Sequence, residues 1–302
     1  MRRCTLWVGL IAAVAAGAAV ARADSFEQSV AADPHGEVDV SNVAGSIEIS
    51  GWDRPQVSVK ADVSDSQKVR LTSERGHVSV RVVGEVGGSW LGGYLGAGSS
   101  THLQVWVPRT SELDVTAVSA DVTSTGMTGA QRLHSVSGSV TADVGGADNE
   151  IKTVSGDIKL HGNAQGGHFR VSSVSGDVRL VNSAGDLDAT TISGELSAEL
   201  APASNVHLHT TSGDITLSGR LAPGATVEVQ TVSGEVKLHE AAQDGYGYEI
   251  RSFSGDIDDC FGKAAERNSE FGPGKHLIGT LGQGGGRVRV NTLSGDVSLC
   301  DH

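Results

Sequence analysis

A row of carboxylates along this chain could bind cations. In seven places an acidic residue follows a glycine within the same short phrase: Asp157, Asp177, Glu195, Asp214, Glu235, Asp256 and Asp296. Their hard oxygen atoms are the ligands that Ca²⁺ prefers, but a strong site needs more ligands than one carboxylate from each phrase. Lys159, Arg179 and Lys237 follow two residues after their acids and would offset part of the charge. The pattern therefore favours an exposed acidic edge over a line of Ca²⁺ sites, and we expect no cofactor.

The serine before each of these glycines could act as a nucleophile, but it recurs too often to be a catalytic residue. A catalytic serine is needed once, beside a base and an oxyanion hole, whereas eight copies indicate a structural position. His207 and His209 share one face of a predicted strand and could bind a metal, but the sequence offers no matched third ligand. We therefore predict no catalytic residue, no metal site and a protein that is not an enzyme.

The phrase that carries these residues is an internal repeat of about twenty residues. It reads Thr/Ser-aliphatic-Ser-Gly-Asp/Glu-aliphatic-x-aliphatic, with its glycines at Gly138, Gly156, Gly176, Gly194, Gly213, Gly234, Gly255 and Gly295. Within a repeat, apolar residues alternate with polar ones, which is typical of strands. We expect the glycine to allow a positive φ at a corner between two strands. A unit this short cannot bury its apolar side alone, so neighbouring repeats must stack.

These features predict an all-β fold, a parallel β-solenoid with coils of about 18–21 residues. The composition agrees, since 41 glycines and 4% aromatic residues suit a thin β-rich core. Two columns of side chains are expected to fill the interior. The first column is Val154, Val174, Ile192, Thr211, Val232, Phe253 and Leu293. The second column is Ile158, Val178, Leu196, Ile215, Val236, Ile257 and Val297.

Two cysteines occupy the same position in their repeats. Cys260 lies five residues after Gly255, and Cys300 lies five residues after Gly295. If these two coils are neighbours, the Cα atoms are about 5 Å apart, which a disulfide allows; a hidden coil between them would give nearly 10 Å and no bond. Because no Ser-Gly-Asp phrase lies between them, we predict adjacent coils, a Cys260–Cys300 disulfide and residues 261–286 looped out.

The part of the chain before the regular repeats is expected to cover one end of the stack. Residues 24–110 form an elaborated N-terminal β cap with the first coils, and residues 111–302 form the repeat solenoid. The glycine-rich loop 84–100 contains Trp90, Leu91, Tyr94 and Leu95. These side chains could contact a partner, a glycan or a membrane surface, or fold back as a lid on the solenoid.

The first 23 residues are typical of a cleaved Sec-type signal peptide. Arg2 and Arg3 precede an apolar stretch from Leu6 to Ala21, which is short for a membrane span and ends in the small-x-small pattern Ala21-Arg22-Ala23. Cleavage would leave 20 basic and 36 acidic residues, a net charge of −16, which opposes nucleic-acid binding. We predict a periplasmic, secreted or cell-surface protein with no transmembrane segment after cleavage.

The chain resembles a known bacterial family. Gly45 to Asp53 reads Gly-x-Ile-x-Ile-x-Gly-Trp-Asp, and Val105-Trp106-Val107-Pro108, the serial Thr-x-Ser-Gly-Asp repeats and the segment Gly272 to Lys275 follow. Together these resemble the DUF4097 family, whose members are often labelled adhesins. The resemblance implies a β-helical fold outside the cytoplasm and supplies no catalytic residues.

The predicted function is that of an exported, non-catalytic, adhesin-like envelope or surface interaction protein. Its partner would be an envelope component, a glycan or a protein. A carbohydrate-active β-helix of the polysaccharide-lyase kind is the alternative from another class, and an accessory role in the envelope-stress response is a third. A lyase would need one local cluster of Asp, Lys and Arg in a groove, and the sequence contains no such cluster.

Overall fold

The computed structural model describes residues 24–63, 67–84, 100–240, 245–267, 273–282 and 285–300. About three quarters of this part of the chain is β-strand, and none of it is helical. The all-β class predicted from the repeats is therefore confirmed. Within these same ranges there is no helix of the length and apolarity that a membrane span requires.

The strands are numbered β1 to β22 in chain order. The N-terminal strands are β1 Asp24–Ala31, β2 Glu37–Trp52, β3 Gln56–Val63, β4 Gln67–Glu74, β5 His77–Gly84, β6 Thr101–Pro108 and β7 Glu112–Thr125. The middle strands are β8 Gln131–Ser135, β9 Val140–Val144, β10 Asp148–Lys152, β11 Ile158–Gly162, β12 Gly167–Ser173, β13 Val178–Ser193, β14 Leu196–Ser212, β15 Ile215–Ser233 and β16 Val236–Glu240. The C-terminal strands are β17 Tyr246–Ser252, β18 Ile257–Asp259, β19 Glu266–Arg267, β20 Lys275–Leu281, β21 Gly286–Ser294 and β22 Val297–Cys300.

In the middle of the chain, each repeat pairs in parallel with the repeats before and after it. On β11, Ile158 lies opposite Val140 on one side and Val178 on the other. On β10, Ile151 lies opposite Leu133 and Val171. These offsets of 18 and 20 residues are the spacings of the repeated phrase. Equivalent residues of successive repeats are therefore neighbours in space.

One of the two predicted core columns is buried and the other is not. Every member of the column that contains Val178 is at most 7% exposed. The prediction that the column containing Val174 is interior was wrong, because its large apolar members are 39–54% exposed. The side chain one residue earlier, such as Ser173 at 2% exposure, points inward instead. Since side chains alternate across a strand, a buried Ser173 sends Val174 to the outside.

Close contact between backbones explains the glycine at each corner. A Cβ atom on Gly176 would lie 2.0 Å from the carbonyl oxygen of Gly156, and one on Gly156 would lie 2.0 Å from that of Gly138. No side chain can occupy such a space. The expectation of positive φ holds at only two of the eight corners, Gly194 at 145° and Gly234 at 140°. The lack of a Cβ, more than the freedom of φ, therefore selects glycine.

Antiparallel strands lie outside the parallel stack at its N-terminal end. Strand β2 pairs in parallel with β7 on one side and with β5 and β6 on the other. Strand β3 then pairs antiparallel with β6, β1 pairs antiparallel with β3, and β4 pairs antiparallel with β5. The repeat formed by β2 is thus enclosed by strands that follow it in the sequence.

The C-terminal end also departs from chain order. The last strands, β21 and β22, pair with β15 and β16 on one side and with β17 and β18 on the other. The repeat of Gly295 therefore lies between those of Gly234 and Gly255. The segment 261–286, expected to be looped out, contains β19 and β20 in its described part. Strand β20 pairs antiparallel with β17 and covers that end of the stack.

Replacing one valine from each column by alanine tests which column is the core. Val178→Ala removes a buried side chain and should lower the free energy of unfolding by about 2 kcal/mol. Val174→Ala, its matched control in the same repeat, should change that free energy by less than about 0.5 kcal/mol. Urea unfolding of both variants measures the difference. Equal losses would contradict the assignment of Val174 to the surface.

Candidate functional site

The exposed column forms a continuous line of apolar side chains, here called the apolar ridge. In spatial order it consists of Val43, Val118, Val136, Val154, Val174, Ile192, Thr211, Val232, Leu293 and Phe253. The backbone keeps these positions in step, since the amide of Ser155 donates to Val136 and that of Ser175 donates to Val154, both at 2.9 Å. At about 4.8 Å for each strand spacing, ten positions span about 43 Å.

The apolar ridge accounts for most of the exposed apolar surface among large side chains. Eleven large hydrophobic residues in the described part of the chain are exposed, and nine of them belong to the ridge. The two others are Phe261 and Ile278. Scattered apolar residues on a surface need no explanation, whereas a contiguous line of them is a candidate interaction site.

Buried hydroxyl groups bond to the backbone at the corners of Gly138, Gly156 and Gly176. In later repeats the equivalent hydroxyl groups are buried without a hydrogen-bond partner in the described structure, namely those of Thr191, Thr210, Thr231 and Thr292. The backbone N–H of Gly176 donates to Ser173 Oγ at 3.0 Å, and Gly138 donates to Ser135 Oγ at the same distance. Thr153 Oγ1 donates in the other direction, to the carbonyl oxygen of Gly156 at 2.8 Å. These bonds close a tight turn around the aliphatic and serine residues between them.

The predicted acidic edge lies three residues after the ridge residue of each repeat, and its aspartates bond to the neighbouring repeat. Asp177 Oδ1 accepts the backbone N–H of Glu195 at 2.9 Å, and Asp157 Oδ1 accepts that of Asp177 at 3.1 Å. Asp214 and Asp296 make the same bond at 2.8 Å to Glu235 and Asp256. Among the described residues, the two glutamates of the row, Glu195 and Glu235, accept no such bond from the next repeat. The aspartates therefore join adjacent corners, which is a structural role.

Lysines pair with two members of the acidic edge. Lys237 lies 2.9 Å from Glu235, whose carboxylate raises the pKa of the lysine by accepting its hydrogen bond. Lys275 pairs with Asp256 at the last corner of the stack, and this bond lowers the pKa of Asp256. These contacts use carboxylate oxygens that a line of Ca²⁺ sites would need. The absence of Ca²⁺ binding at this edge stays a prediction.

The two histidines singled out from the sequence are exposed. His207 Nδ1 is 3.7 Å from Glu228 Oε2, and His209 lies opposite Gln230 on the neighbouring strand. Among the residues that the structure describes, no group of three potential ligands includes either histidine.

The structure brings Cys260 and Cys300 together. Their repeats are neighbours, with the N–H of Cys260 donating to the carbonyl oxygen of Leu299 at 3.0 Å. The Cα atoms are 5.1 Å apart and the sulfur atoms are at bonding distance, 2.00 Å. The adjacency inferred from the sequence is therefore present, although the order of the two repeats along the stack is reversed.

Two predicted features lie outside the described residues. The loop side chains Trp90, Leu91, Tyr94 and Leu95 are among them, and so is the signal peptide at residues 1–23. Both stay predictions from the sequence.

A shallow groove between β17, β20 and β21 is lined by Tyr248, Glu249 and Arg289, residue types that can take part in acid–base chemistry. Glu249 in this groove lies 3.1 Å from Arg289, and its other oxygen pairs with Arg251. Tyr248 donates a hydrogen bond to Asp259 at 3.1 Å. Burial and this bond raise the pKa of Tyr248 to about 12.

Sequence reasoning missed the apolar ridge, although the signal was present. In the stretch 227–232, Val227, Val229 and Thr231 are two residues apart and share a face, so Val232 must lie on the opposite face. The threonine at position 211 of the same column was a second sign of exposure.

The hydrogen bonds of the acidic edge predict that replacing an aspartate lowers the free energy of unfolding more than replacing a glutamate. Asp177→Ala removes the acceptor of the Glu195 amide and should lower the free energy of unfolding by about 1 kcal/mol. Asp177→Asn keeps an acceptor and should cost less, while Glu195→Ala should stay within about 0.5 kcal/mol. Thermal unfolding of the three variants compares them. A larger loss for Glu195→Ala than for Asp177→Ala would contradict the assignment.

Comparison with known proteins gives a family and several distant solved structures. The family model described as Toastrack DUF4097 matches residues 35–246. No functionally curated protein has a matching sequence. A Parabacteroides distasonis structure provisionally named a lipid-binding protein is 11% identical with a TM-score of 0.49, and covers 91% of this chain and 97% of its own. A Bacteroides fragilis structure provisionally named an adhesin is 10% identical with a TM-score of 0.41, and covers 91% and 96%.

The family match covers strands β2 to β16, which include most of the corner glycines and most of the apolar ridge. It includes the motifs from Gly45 to Asp53 and from Val105 to Pro108 on which the resemblance rested. The chain belongs to the Toastrack DUF4097 family.

Proposed function

We propose that this protein is a non-catalytic, adhesin-like interaction protein that binds its partner along the apolar ridge. The concentration of nine of eleven exposed large apolar side chains in one line carries the proposal. Water contact with this surface is unfavourable, so covering it with a partner releases free energy in proportion to the apolar area buried. The neighbouring acidic edge favours a partner that also presents cationic groups.

The rigid backbone beneath the ridge suits repeated contact with an extended partner. Strand pairing holds successive side chains about 4.8 Å apart. Because this surface is already ordered, binding a partner costs little conformational entropy on the protein's side. We propose that the parallel array is a β-solenoid, which would present the ridge as a straight edge. An envelope component, a glycan or a protein could lie along it.

Export is part of the same proposal. The signal peptide predicted at residues 1–23 would deliver the chain to the periplasm, the medium or the cell surface. An oxidising compartment would allow the Cys260–Cys300 pair, with Cα atoms 5.1 Å apart, to form a disulfide. The bond would link the end repeat covalently to its neighbour.

The groove at β17, β20 and β21 gives little support to the alternative of a carbohydrate-active enzyme. A general base works best when its pKa is near the working pH, and that of Tyr248 is raised to about 12. Glu249 is engaged by two arginines. This charge pairing is typical of a structural contact.

A binding screen tests the proposal directly. Purified protein is screened against envelope components and glycans, with analysis for reaction products. For any partner found, the triple variant Val154→Thr, Val174→Thr and Ile192→Thr should weaken binding by at least about tenfold, or 1.4 kcal/mol. Threonine already occupies this column at position 211 and keeps the β-branched shape, so folding should be unchanged.

The control for this experiment lies on strands of the same repeats, away from the corners. Lys159→Gln with Arg179→Gln alters two exposed side chains outside the ridge, and its affinity should stay within about twofold of the unaltered protein. If the ridge variant binds as tightly as the control, the ridge is not the contact surface. Turnover of a glycan would overturn the non-catalytic part of the proposal.

A further inference from the structure

A histidine near the N-terminal end of the stack lies between two carboxylates. His77 Nε2 is 3.1 Å from Asp39 Oδ2, and His77 Nδ1 is 3.4 Å from Glu37 Oε2. One potential ligand atom from each of the three residues lies within 4.8 Å of the other two. We propose that Glu37, Asp39 and His77 form a binding site for one divalent transition-metal ion of the zinc class.

Two paired strands hold the three side chains in place. His77 lies directly opposite Glu37 in the parallel pairing of β5 with β2. Glu37 and Asp39 are two residues apart and therefore share the outer face, while Val38 and Val40 between and beyond them are 1% exposed and anchor the strand in the core. The site is thus built on strands, which position ligands more reproducibly than loops.

Each ring nitrogen of His77 lies beside a carboxylate, Nε2 beside Asp39 and Nδ1 beside Glu37. A metal ion binds the lone pair of only one ring nitrogen. One such nitrogen and one oxygen atom from each carboxylate lie within 4.8 Å of one another, so the three residues can face a single ion.

Further acids surround the site. Glu112 and Asp114 lie opposite Glu37 and Asp39 on the adjacent strand β7. Arg132 lies 3.6 Å from Glu112, and Arg81 Nε donates to Ser79, so neither arginine pairs with Asp39 in the described structure. Four carboxylates, those of Glu37, Asp39, Glu112 and Asp114, therefore lie on neighbouring strands, and a cluster of negative charges favours a divalent cation.

The ligand types indicate which cation. An imidazole nitrogen with carboxylate oxygens suits Zn²⁺, whereas Ca²⁺ and Mg²⁺ prefer oxygen ligands alone. Ligands of a tetrahedral zinc ion are about 3.3 Å apart, and side-chain rotations would bring the three ligand atoms, now within 4.8 Å of one another, to that spacing. Three protein ligands leave a fourth position for water or for a group on a partner.

Calorimetric titration of the untagged, purified full chain with ZnCl₂ tests the site. We expect saturable binding of one Zn²⁺ per chain and at least about tenfold weaker binding of Ca²⁺ and Mg²⁺. His77→Ala should weaken zinc binding by at least about 30-fold, and Asp39→Asn by at least about tenfold. His207→Ala is the matched control, since His207 is also exposed beside a single carboxylate, and it should bind zinc as the unaltered protein does.

Each other outcome contradicts the site. If the unaltered chain does not bind Zn²⁺ saturably, Glu37, Asp39 and His77 do not form a metal site. If His77→Ala keeps full affinity, or if His207→Ala loses as much, zinc binds elsewhere. Circular dichroism of the metal-free His77→Ala variant shows whether it has folded. If it has not, the zinc affinity of Asp39→Asn tests the site instead, and an unchanged affinity would contradict it. The result is independent of the apolar ridge, because the site lies on the strands and not at the corners.

Discussion

The structure depends on the direct contact of backbone with backbone at the corner of each repeat. In spatial order the corner glycines are 138, 156, 176, 194, 213, 234, 295 and 255, and each would bring a Cβ to within 2.5 Å of the carbonyl oxygen before it. Because no side chain separates these corners, successive repeats cannot slide relative to one another. The register of the strands follows from this contact, and register decides which side chains are buried.

Three features of the surface follow from the same contact. The residue two before the glycine points outward and builds the apolar ridge. The aspartate after the glycine is close enough to accept the N–H of the next repeat, as Asp177 does from Glu195. Five residues after the glycine, the cysteines of two adjacent repeats meet. One geometric constraint thus produces a hydrophobic line, a hydrogen-bonded acidic edge and a cross-linked end.

Much of the stack could be predicted from the sequence because the repeat is local. The column of Val178 and Ile215 and the adjacency of Cys260 to Cys300 follow from spacing alone. The burial of the Val174 column was predicted wrongly because hydrophobicity was given more weight than strand alternation, although Thr211 and the phase of Val229 pointed outward. The buried hydroxyl group of Thr153 bonds to the corner backbone, a contact that hydrophobicity does not reveal.

Other features depend on contacts between distant parts of the chain. The placement of Gly295 between Gly234 and Gly255 requires β20 to cover the end of the stack, and no residue pattern predicts it. His77 lies 40 residues from Glu37 and outside the repeated phrase, so its position beside two carboxylates emerges only when β2 and β5 are paired. Pairing between distant strands is set by the whole fold.

The free energy of unfolding of Gly176→Ala, compared with that of Gly247→Ala, tests the central claim most directly. At Gly247 the nearest atom to an added methyl group would be 3.9 Å away, so alanine fits there, whereas at Gly176 the distance is 2.0 Å. We expect Gly176→Ala to lose about 3 kcal/mol and Gly247→Ala to lose less than about 1 kcal/mol in urea unfolding. Equal stability of the two variants would contradict the close stacking of the corners.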